Sequence, residues 1–205
     1  MSGRTLGLVC AAAGGIEDVR ERLIEPMLED GWTVAVTLTP TATIWLEATG
    51  EIGKIEAVTG LPVRSAPRLP HETSPHPEVD CYAAVPATAN LVAKLALGIA
   101  DNQALTQLCE AIGGRRPPVV VFPRVNAAHA GQPGWEHHIA ALAGSGVHLV
   151  YGEDVWPLHR PRSAPNKELP WRAIRAAIEA ATGLGQRQHP SDEQPGRPPA
   201  TGPGL

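Results

Sequence analysis

The chain has 205 residues, a formal net charge of −4 and no long run of basic residues, which argues against a nucleic-acid-binding surface. Its length suffices for one domain with a hydrophobic core, and it contains no apolar stretch long enough to span a bilayer. The three cysteines, Cys10, Cys81 and Cys109, lack metal-ligand spacing, so we expect reduced thiols, a cytoplasmic location, no bound metal and no membrane or nucleic-acid partner.

The first part of the chain predicts a parallel α/β unit. An apolar run over residues 5–10 predicts a strand, and the small residues after it end in Gly14-Gly15. Apolar residues then recur at helical spacing from Ile16 to Leu28, and the β-branched run over 32–38 predicts a second strand. Such alternation indicates a parallel sheet with right-handed crossovers, and ligands bind these sheets beyond the carboxyl ends of the strands.

A turn rich in hydroxyl groups follows the second predicted strand. Thr39 and Thr41 either cap the next helix or bind a ligand, and the residue pattern leaves both interpretations open. Residues 51–58 then predict a helix and residues 61–64 a short strand. The proline-rich segment 65–77 cannot form a continuous helix. It contains His71 and His76, and their residue type is compatible both with solvated loop side chains and with proton carriers.

The most informative stretch is residues 80–102. It predicts a buried strand over 79–85 that Pro86 ends, because proline gives no N–H to a sheet. Small residues follow, and Thr88 and Asn90 stand at the start of an Ala- and Leu-rich helix. Free N–H groups at a helix start favour a small polar or anionic ligand, although a simple capped turn would have the same sequence.

The second half continues the alternation of helices and strands. Helices are predicted over 104–112 and 168–182, with Gly183 ending the second, and strands over 118–122 and 147–151. The polar segment after the first of these strands contains Asn126 and His129. Residues 184–205, rich in proline and glycine without periodicity, predict a disordered tail.

Three of these segments resemble signatures of the homo-oligomeric flavin-containing cysteine decarboxylases. Pro86-Ala-Thr-Ala-Asn90, with Lys94, Gly98, Ile99, Asp101 and Asn102 after it, resembles their Pro-Ala-Ser-Ala-Asn-Thr motif. Thr39-Pro-Thr-Ala resembles their Thr-Pro-Ser-Ala motif. The segment 123–139 resembles their Pro-x-Met-Asn-x-x-Met-Trp motif, with Asn126 retained and His129 replacing a Met. The resemblance covers roughly residues 5–155.

The resemblance implies a three-layer, Rossmann-like (flavodoxin-like) α/β domain over residues 1–183, with a mainly parallel sheet of about six strands. It implies FMN as cofactor and a homo-oligomer, trimer or dodecamer. The implied FMN-binding residues are Gly14, Gly15, Ile16, Thr39, Thr41, Pro86, Thr88, Ala89 and Asn90. Asn126 would hold the carboxylate of a peptide or small thiol-carboxylate substrate.

Two departures from the family pattern bear on activity. Glu17 and Asp18 stand where relatives carry small or apolar residues, and their charge would repel a phosphate facing them. The family's His-Ile-Glu-Leu motif is absent, so His71, His76 and His129 are the candidate catalytic histidines. The leading interpretation is an FMN-dependent oxidative decarboxylase of a cysteine-containing peptide. The alternatives are a flavin carrier or regulatory subunit, or another FMN-dependent reaction such as flavin prenylation or reduction.

Overall fold

The computed structural model describes residues 3–164 and 167–185. Within them, five strands form one parallel sheet in the order β2-β1-β3-β4-β5. The strands are β1 (Thr5–Cys10), β2 (Thr33–Leu38), β3 (Cys81–Ala87), β4 (Val119–Pro123) and β5 (His148–Leu149). The prediction of a flavodoxin-like α/β fold with a mainly parallel sheet is confirmed, with five strands instead of about six.

The predicted strand over residues 61–64 is reduced to a single residue. Arg64 forms a parallel bridge with Thr37; its N–H donates to the Val36 carbonyl at 2.9 Å, and its carbonyl accepts from the Leu38 N–H at 2.7 Å. Pro62 and Pro67 flank this residue and have no N–H groups to extend the pairing. A sixth strand therefore does not form.

Pro86 does not end its strand, and the prediction that it does is wrong. β3 continues through Pro86 to Ala87, and its register against β4 shifts between Ala84 and Ala87. Such an irregularity lets a strand contain a residue without an N–H, because that residue is outside the regular ladder. The Pro86 carbonyl accepts from the Ala11 N–H at 3.0 Å and so joins the ends of β1 and β3.

The first helical region combines three forms: a 3₁₀ turn (Ile16–Asp18), a π-helical segment (Arg20–Ile24) and α1 (Glu25–Glu29). The other helices are α2 (Pro40–Ala48), α3 (Glu51–Thr59), α4 (Ala89–Ala96), α5 (Gln103–Gly114), α6 (Ala127–Ala130), α7 (Trp135–Gly144) and α8 (Trp171–Gly185). α8 passes the predicted end at Gly183, and residues 186–205 of the predicted tail lie outside the described residues. No helix in the described part of the chain is both long and apolar enough to cross a membrane.

The sheet is buried on both faces, which makes it the middle of three layers. Alternate residues of β1 point to opposite sides: Leu6, Leu8 and Cys10 join the core under α1 and α8, whereas Val9 joins the core under α4, α5 and α7. This explains why the strands read as continuous apolar runs. On the α8 side, the Phe122 and Trp156 rings pack edge to face at 5.4 Å and attach the segment after β5 to the sheet.

Candidate functional site

The strand order places a crevice at the carboxyl end of the sheet. The chain leaves β1 to form β2 on one side and later adds β3 on the other side of β1. Because the connections diverge there, the loops after these strands leave a gap between them, and ligands of doubly wound folds bind at this point. The polar turns around Thr39 and Thr88 follow β2 and β3 directly.

A cleft of about 410 Å³ occupies this position, and we call it the switch-point cleft. It brings together four of the predicted cofactor-binding residues, Thr39, Thr41, Thr88 and Asn90, from two turns far apart in sequence. The remaining lining residues come from the end of β1, the start of α2, α4 and the segment leading into α5: Ala11, Ala12, Pro40, Leu91, Lys94, Asp101, Asn102 and Leu105.

The threonines in this cleft differ in how they are used. Thr88 is the N-cap of α4, and its hydroxyl accepts from the Leu91 N–H at 3.2 Å. Thr39 occupies the N-cap position of α2, but its side chain makes no capping bond. The Thr39 hydroxyl therefore stays available to a ligand, and the cap alternative holds for Thr88 instead. Thr41 is exposed in the first turn of α2.

One wall of the cleft is formed by a charged pair, Lys94 and Asp101. Both residues belong to the motif that begins at Pro86, but the sequence pattern predicted no role for them. The Lys94 ammonium forms an ion pair with Asp101, and the Asn102 amide donates to the second Asp101 oxygen at 3.0 Å. Asn102 also caps α5 by accepting from the Leu105 N–H at 3.1 Å. The hydrogen bond to Lys94 lowers the pKa of Asp101, so this wall carries both charges at neutral pH.

The glycine loop after β1 lies beside the cleft without lining it. Gly15 has a φ of +92°, and a Cβ atom there would come within 2.6 Å of the Leu169 side chain, so only glycine fits. Ile16 is buried in the core, and Gly14 is exposed. Pro86 and Ala89 are likewise absent from the lining; Pro86 acts on the cleft by holding Ala11, and Ala89 begins α4.

Glu17 folds back onto this loop. Its carboxylate accepts from the Gly15 N–H at 2.9 Å. A backbone N–H at the start of a helix is the kind of donor that binds phosphate in other proteins, and here a side-chain anion already occupies it. Asp18, the other unexpected carboxylate, is exposed.

A second cleft of about 220 Å³ lies beyond the ends of β4 and β5, and we call it the cationic cleft. It shares no lining residue with the switch-point cleft. Four cationic side chains line it, together with Asn126 and the Trp156 ring: Arg124, Arg160, Arg162 and Lys167. Arg124 lies within the third motif, in the segment Pro123-Arg-Val-Asn126 that follows β4, and this segment is the local sequence signal of a charged site there.

The side-chain oxygen of Asn126 has a structural role. Its Oδ1 atom accepts from the N–H groups of Ala128 at 3.0 Å and His129 at 3.1 Å, which caps the short helix α6. The amide NH₂ is the half that is left to donate to an anion in the cleft. The Asn126 side chain therefore caps α6 with its oxygen and has two amide hydrogens that can donate to a ligand.

The three candidate histidines line neither cleft. His71 borders a shallow depression with Arg64 and Arg68. His76 donates from Nε2 to the Pro62 carbonyl at 2.7 Å, and burial lowers its pKa. His129 is exposed on α6. His129 contacts Asn126 through its backbone N–H, whereas His71 and His76 belong to the segment between α3 and β3, outside the cleft that Asn126 lines.

The family model named Flavoprotein matches residues 1–180, and the chain belongs to this family. The resemblance drawn from the motifs is thereby confirmed, and a flavin is the cofactor class of the family. Among the solved structures, the FMN-dependent cysteine decarboxylase SpaF is similar with a TM-score of 0.61 and 25% identity, covering 88% of this chain and 97% of that chain. TvaF, an FMN-dependent cysteine decarboxylase from thioviridamide biosynthesis, has a TM-score of 0.64 and 21% identity over 88% and 98%.

A curated protein described as a cysteine/cysteine sulfinic acid decarboxylase, from an unidentified prokaryote, is 37% identical over 71 residues. These residues are 35% of this chain and 19% of that protein, so the match spans about a fifth of the relative's length.

The described residues fit a flavin mononucleotide at the switch-point cleft. The cleft offers a free Thr39 hydroxyl and the exposed side chains of Thr41 and Asn90 between small residues, which allow close approach to the backbone. Two carboxylates nearby oppose a phosphate group: Glu17 accepts from the Gly15 N–H beside the cleft, and Asp101 lines the cleft but is paired with Lys94. No cluster of three or more potential metal ligands occurs among residues 3–164 and 167–185.

Proposed function

We propose that this protein is an FMN-dependent oxidative decarboxylase that acts on a cysteine-containing peptide. The observation that carries the proposal is the convergence of Thr39, Thr41, Thr88 and Asn90 at the switch-point cleft. Membership of the Flavoprotein family and the likeness to SpaF and TvaF support it. Bound FMN would supply a two-electron acceptor for the oxidation of the cysteine side chain.

The residues would divide the work between the two clefts. Thr39 and Thr41 would donate to the phosphate, and Thr88 and Asn90 would position the ring system. Asn126 donates its amide hydrogens to the carboxylate of the substrate. Loss of two hydrogens converts the cysteine CH₂–SH group to a thioaldehyde, which accepts the electron pair of the Cα–carboxylate bond as CO₂ leaves, and the product is an enethiol. Holding the carboxylate in one orientation favours this bond cleavage.

A proton acceptor for the thiol is a separate part of the proposal. His129 is the nearest of the three histidines in sequence to Asn126, which caps the helix that carries it. Replacing each histidine by Ala in the full-length protein and measuring turnover tests each of them as the proton carrier. Unchanged turnover in all three variants would exclude His71, His76 and His129 and leave His159, which lines the cationic cleft, as the histidine to test next.

Exposed apolar side chains on the helices around the switch-point cleft support a homo-oligomer. Ile44 and Trp45 on α2 are 65% and 47% exposed, and Leu97 and Ile99 after α4 are 61% and 42% exposed. Large exposed apolar side chains are frequent on surfaces that contact another protein. Light scattering after size-exclusion chromatography measures the assembly, and an Ile44→Ser, Trp45→Ser variant should dissociate it. A monomeric wild-type protein would contradict the trimer or dodecamer.

Two measurements test the enzyme proposal. The purified protein should show absorption bands at about 375 and 450 nm and release a chromophore with the mass of FMN. A peptide that ends in cysteine should lose about 46 mass units, the sum of CO₂ and two hydrogen atoms, when incubated with the protein in air. A protein without bound flavin that also fails to bind added FMN would overturn the proposal.

A second candidate function is flavin binding without decarboxylation, as in a carrier or regulatory subunit. The observations that favour it are the Glu17 carboxylate on the Gly15 N–H and the distance of all three histidines from the lining of either cleft. The mass measurement separates the two candidates: bound FMN without a loss of mass from any cysteine-ending peptide supports the carrier.

A further inference from the structure

The cationic cleft holds positive charge that the described part of the chain does not neutralise. Its cations are Arg124, Arg160, Arg162 and Lys167. No ion pair joins any of them to a carboxylate within residues 3–164 and 167–185. Arg20, Arg22, Lys54, Lys94 and Arg175, by contrast, all pair with a carboxylate. Other cations within the same residues also lack an ion pair, so what sets the cleft apart is that it brings four of them together: the others are Arg4, Arg64, Arg68, Arg115, Arg116 and Arg172.

Two of the four cations lie against a single indole ring. The Arg124 guanidinium is 4.9 Å from the centre of the Trp156 ring, and the Lys167 ammonium is 3.7 Å from it. Both contacts are attractive, but they force two like charges together. The pKa of Lys167 is lowered by burial and by the neighbouring charge of Arg124. An anion between the two side chains would relieve this repulsion.

The Arg124 side chain is also short of hydrogen-bond acceptors. Its Nε atom is buried and has no partner in the described part of the protein. Lys167 is held in place by donating to the Pro157 carbonyl at 2.8 Å, and Trp156 by donating to the Val125 carbonyl at 3.3 Å. These two hydrogen bonds fix Lys167 and Trp156 in position, so packing within the protein sets the cationic side of the cleft.

The acidic groups that face this cleft are few. Glu17 acts electrostatically on Arg124 and Glu153 on Lys167, each without forming an ion pair. Arg160 and Arg162 are exposed at the rim, beside His159. Four cations against two more distant carboxylates leave the cleft positive.

We propose that the cationic cleft binds a second anionic group of the substrate, the carboxylate of an acidic side chain next to the terminal cysteine. This inference rests on the proposed function for the terminal carboxylate, which Asn126 binds in the same cleft. The cofactor phosphate is the other source of an oxyanion, because Arg124 Nη2 would lie 3.5 Å from a Cβ atom at Gly14. The separate linings of the two clefts favour the substrate.

The test uses two non-oxidisable peptides, acetyl-Ala-Asp-Ser and acetyl-Ala-Asn-Ser, titrated calorimetrically into the FMN-loaded, full-length protein. Ser replaces Cys so that binding is measured without turnover. The Asp peptide should bind about tenfold more tightly, because charge-assisted hydrogen bonds are stronger than neutral ones. The preference should shrink as ionic strength rises from about 0.01 M to 0.15 M.

The variant Arg160→Gln, Arg162→Gln should abolish the preference. Both side chains are exposed, so folding is not at risk. Arg172→Gln, which removes an exposed charge from α8 outside both clefts, should retain it. Equal affinity of the wild-type protein for both peptides would overturn the inference, as would a preference that survives both this double variant and Lys167→Gln, which removes a cation next to the Trp156 ring.

Two further measurements distinguish a failure of this inference from a failure of the proposed function. FMN and riboflavin, which lacks the phosphate, are titrated into the apoprotein of each variant. A loss of FMN affinity in the double variant, with riboflavin binding unchanged, would assign the cations to the cofactor phosphate and overturn the inference. An Asp preference in a protein that removes no CO₂ from any cysteine-ending peptide would overturn the proposed reaction and leave the anion site standing.

Discussion

The two clefts of this protein are lined by different kinds of chemical group. The switch-point cleft consists of short turns at the ends of β1, β2 and β3, and its polar groups are hydroxyls, amides and one internally paired lysine. The cationic cleft consists of long side chains from separate segments after β4 and β5, and none of its cations forms an ion pair with a carboxylate of residues 3–164 or 167–185. The first position is fixed by the topology of the sheet, whereas the second depends on side chains that can change without altering the fold.

The largest expected effect concerns Asn126, which belongs to the cationic cleft. Asn126→Asp keeps an oxygen to cap α6 but replaces the donating amide by a negative charge. We expect kcat/KM for a cysteine-ending peptide to fall by roughly 10²- to 10³-fold, as for the loss of one preorganised donor.

The matched control is Asn126→Ala, which removes the cap as well. Circular dichroism and thermal unfolding should show a stability loss of about 1 kcal/mol for the Ala variant and a smaller loss for the Asp variant. If the Asp variant retained activity, Asn126 would act only as a cap, and the division of roles between the clefts would be wrong.

A smaller effect is expected at the switch-point cleft. Thr39→Val removes a hydroxyl that makes no cap bond, so α2 should remain intact. The FMN dissociation constant should rise by about tenfold, the cost of one hydrogen bond to a charged group. Thr49→Val, at the other end of α2, removes a hydroxyl far from the cleft and should leave flavin-quenching titrations unchanged. An equal effect of both substitutions would show that the helix matters and not the hydroxyl.

Glu17 provides a test in the opposite direction. Glu17→Gln removes the negative charge that occupies the Gly15 N–H, and we expect FMN to bind a few times more tightly. Asp18→Asn makes the same change in net charge one residue further along, without a bond to Gly15. An equal gain from both variants would mean that only the general charge of the loop opposes the phosphate.

The smallest expected effect is that two of the three cysteines, Cys10 and Cys81, do not react with a thiol reagent in the native protein. Burial raises the pKa of the Cys10 thiol, and burial together with Asp80 raises that of Cys81 to about 12, so neither forms a thiolate at neutral pH. Ellman's reagent should label only the partly exposed Cys109 in the native protein, and all three thiols after unfolding. Fast labelling of Cys10 would indicate that the loop after β1 opens and that the switch-point cleft is not preformed.

Local sequence patterns predicted the switch-point cleft well. The turns containing Thr39, Thr41, Thr88 and Asn90 follow apolar strands, and parallel strands place their carboxyl ends together. The motif containing Asn126 likewise located one wall of the second cleft. The single bridge at Arg64 and the passage of β3 through Pro86 depend on how strands pair, which the local pattern does not contain.

The cationic cleft was only partly predictable. Arg160 and Arg162 are close together in the sequence, but Arg124 and Lys167 come together through Trp156, whose ring packs against Phe122 of the sheet. Tertiary packing of this kind has no signature at fixed spacing. The hydrogen bond between the Glu17 carboxylate and the Gly15 N–H depends on the side-chain conformation of Glu17, which the sequence pattern does not predict.

The contact between Gly15 and Leu169 couples the first loop of the domain to its last helix. Leu169 lies two residues before α8 and occupies the space that a side chain at Gly15 would need. A ligand that holds the loop in this conformation therefore also favours the docked state of α8, by the free energy RT ln(1 + [L]/Kd). Loss of the ligand would weaken the packing of α8 before that of the other elements. The protease sensitivity of α8 would therefore report whether a ligand is bound near the loop after β1.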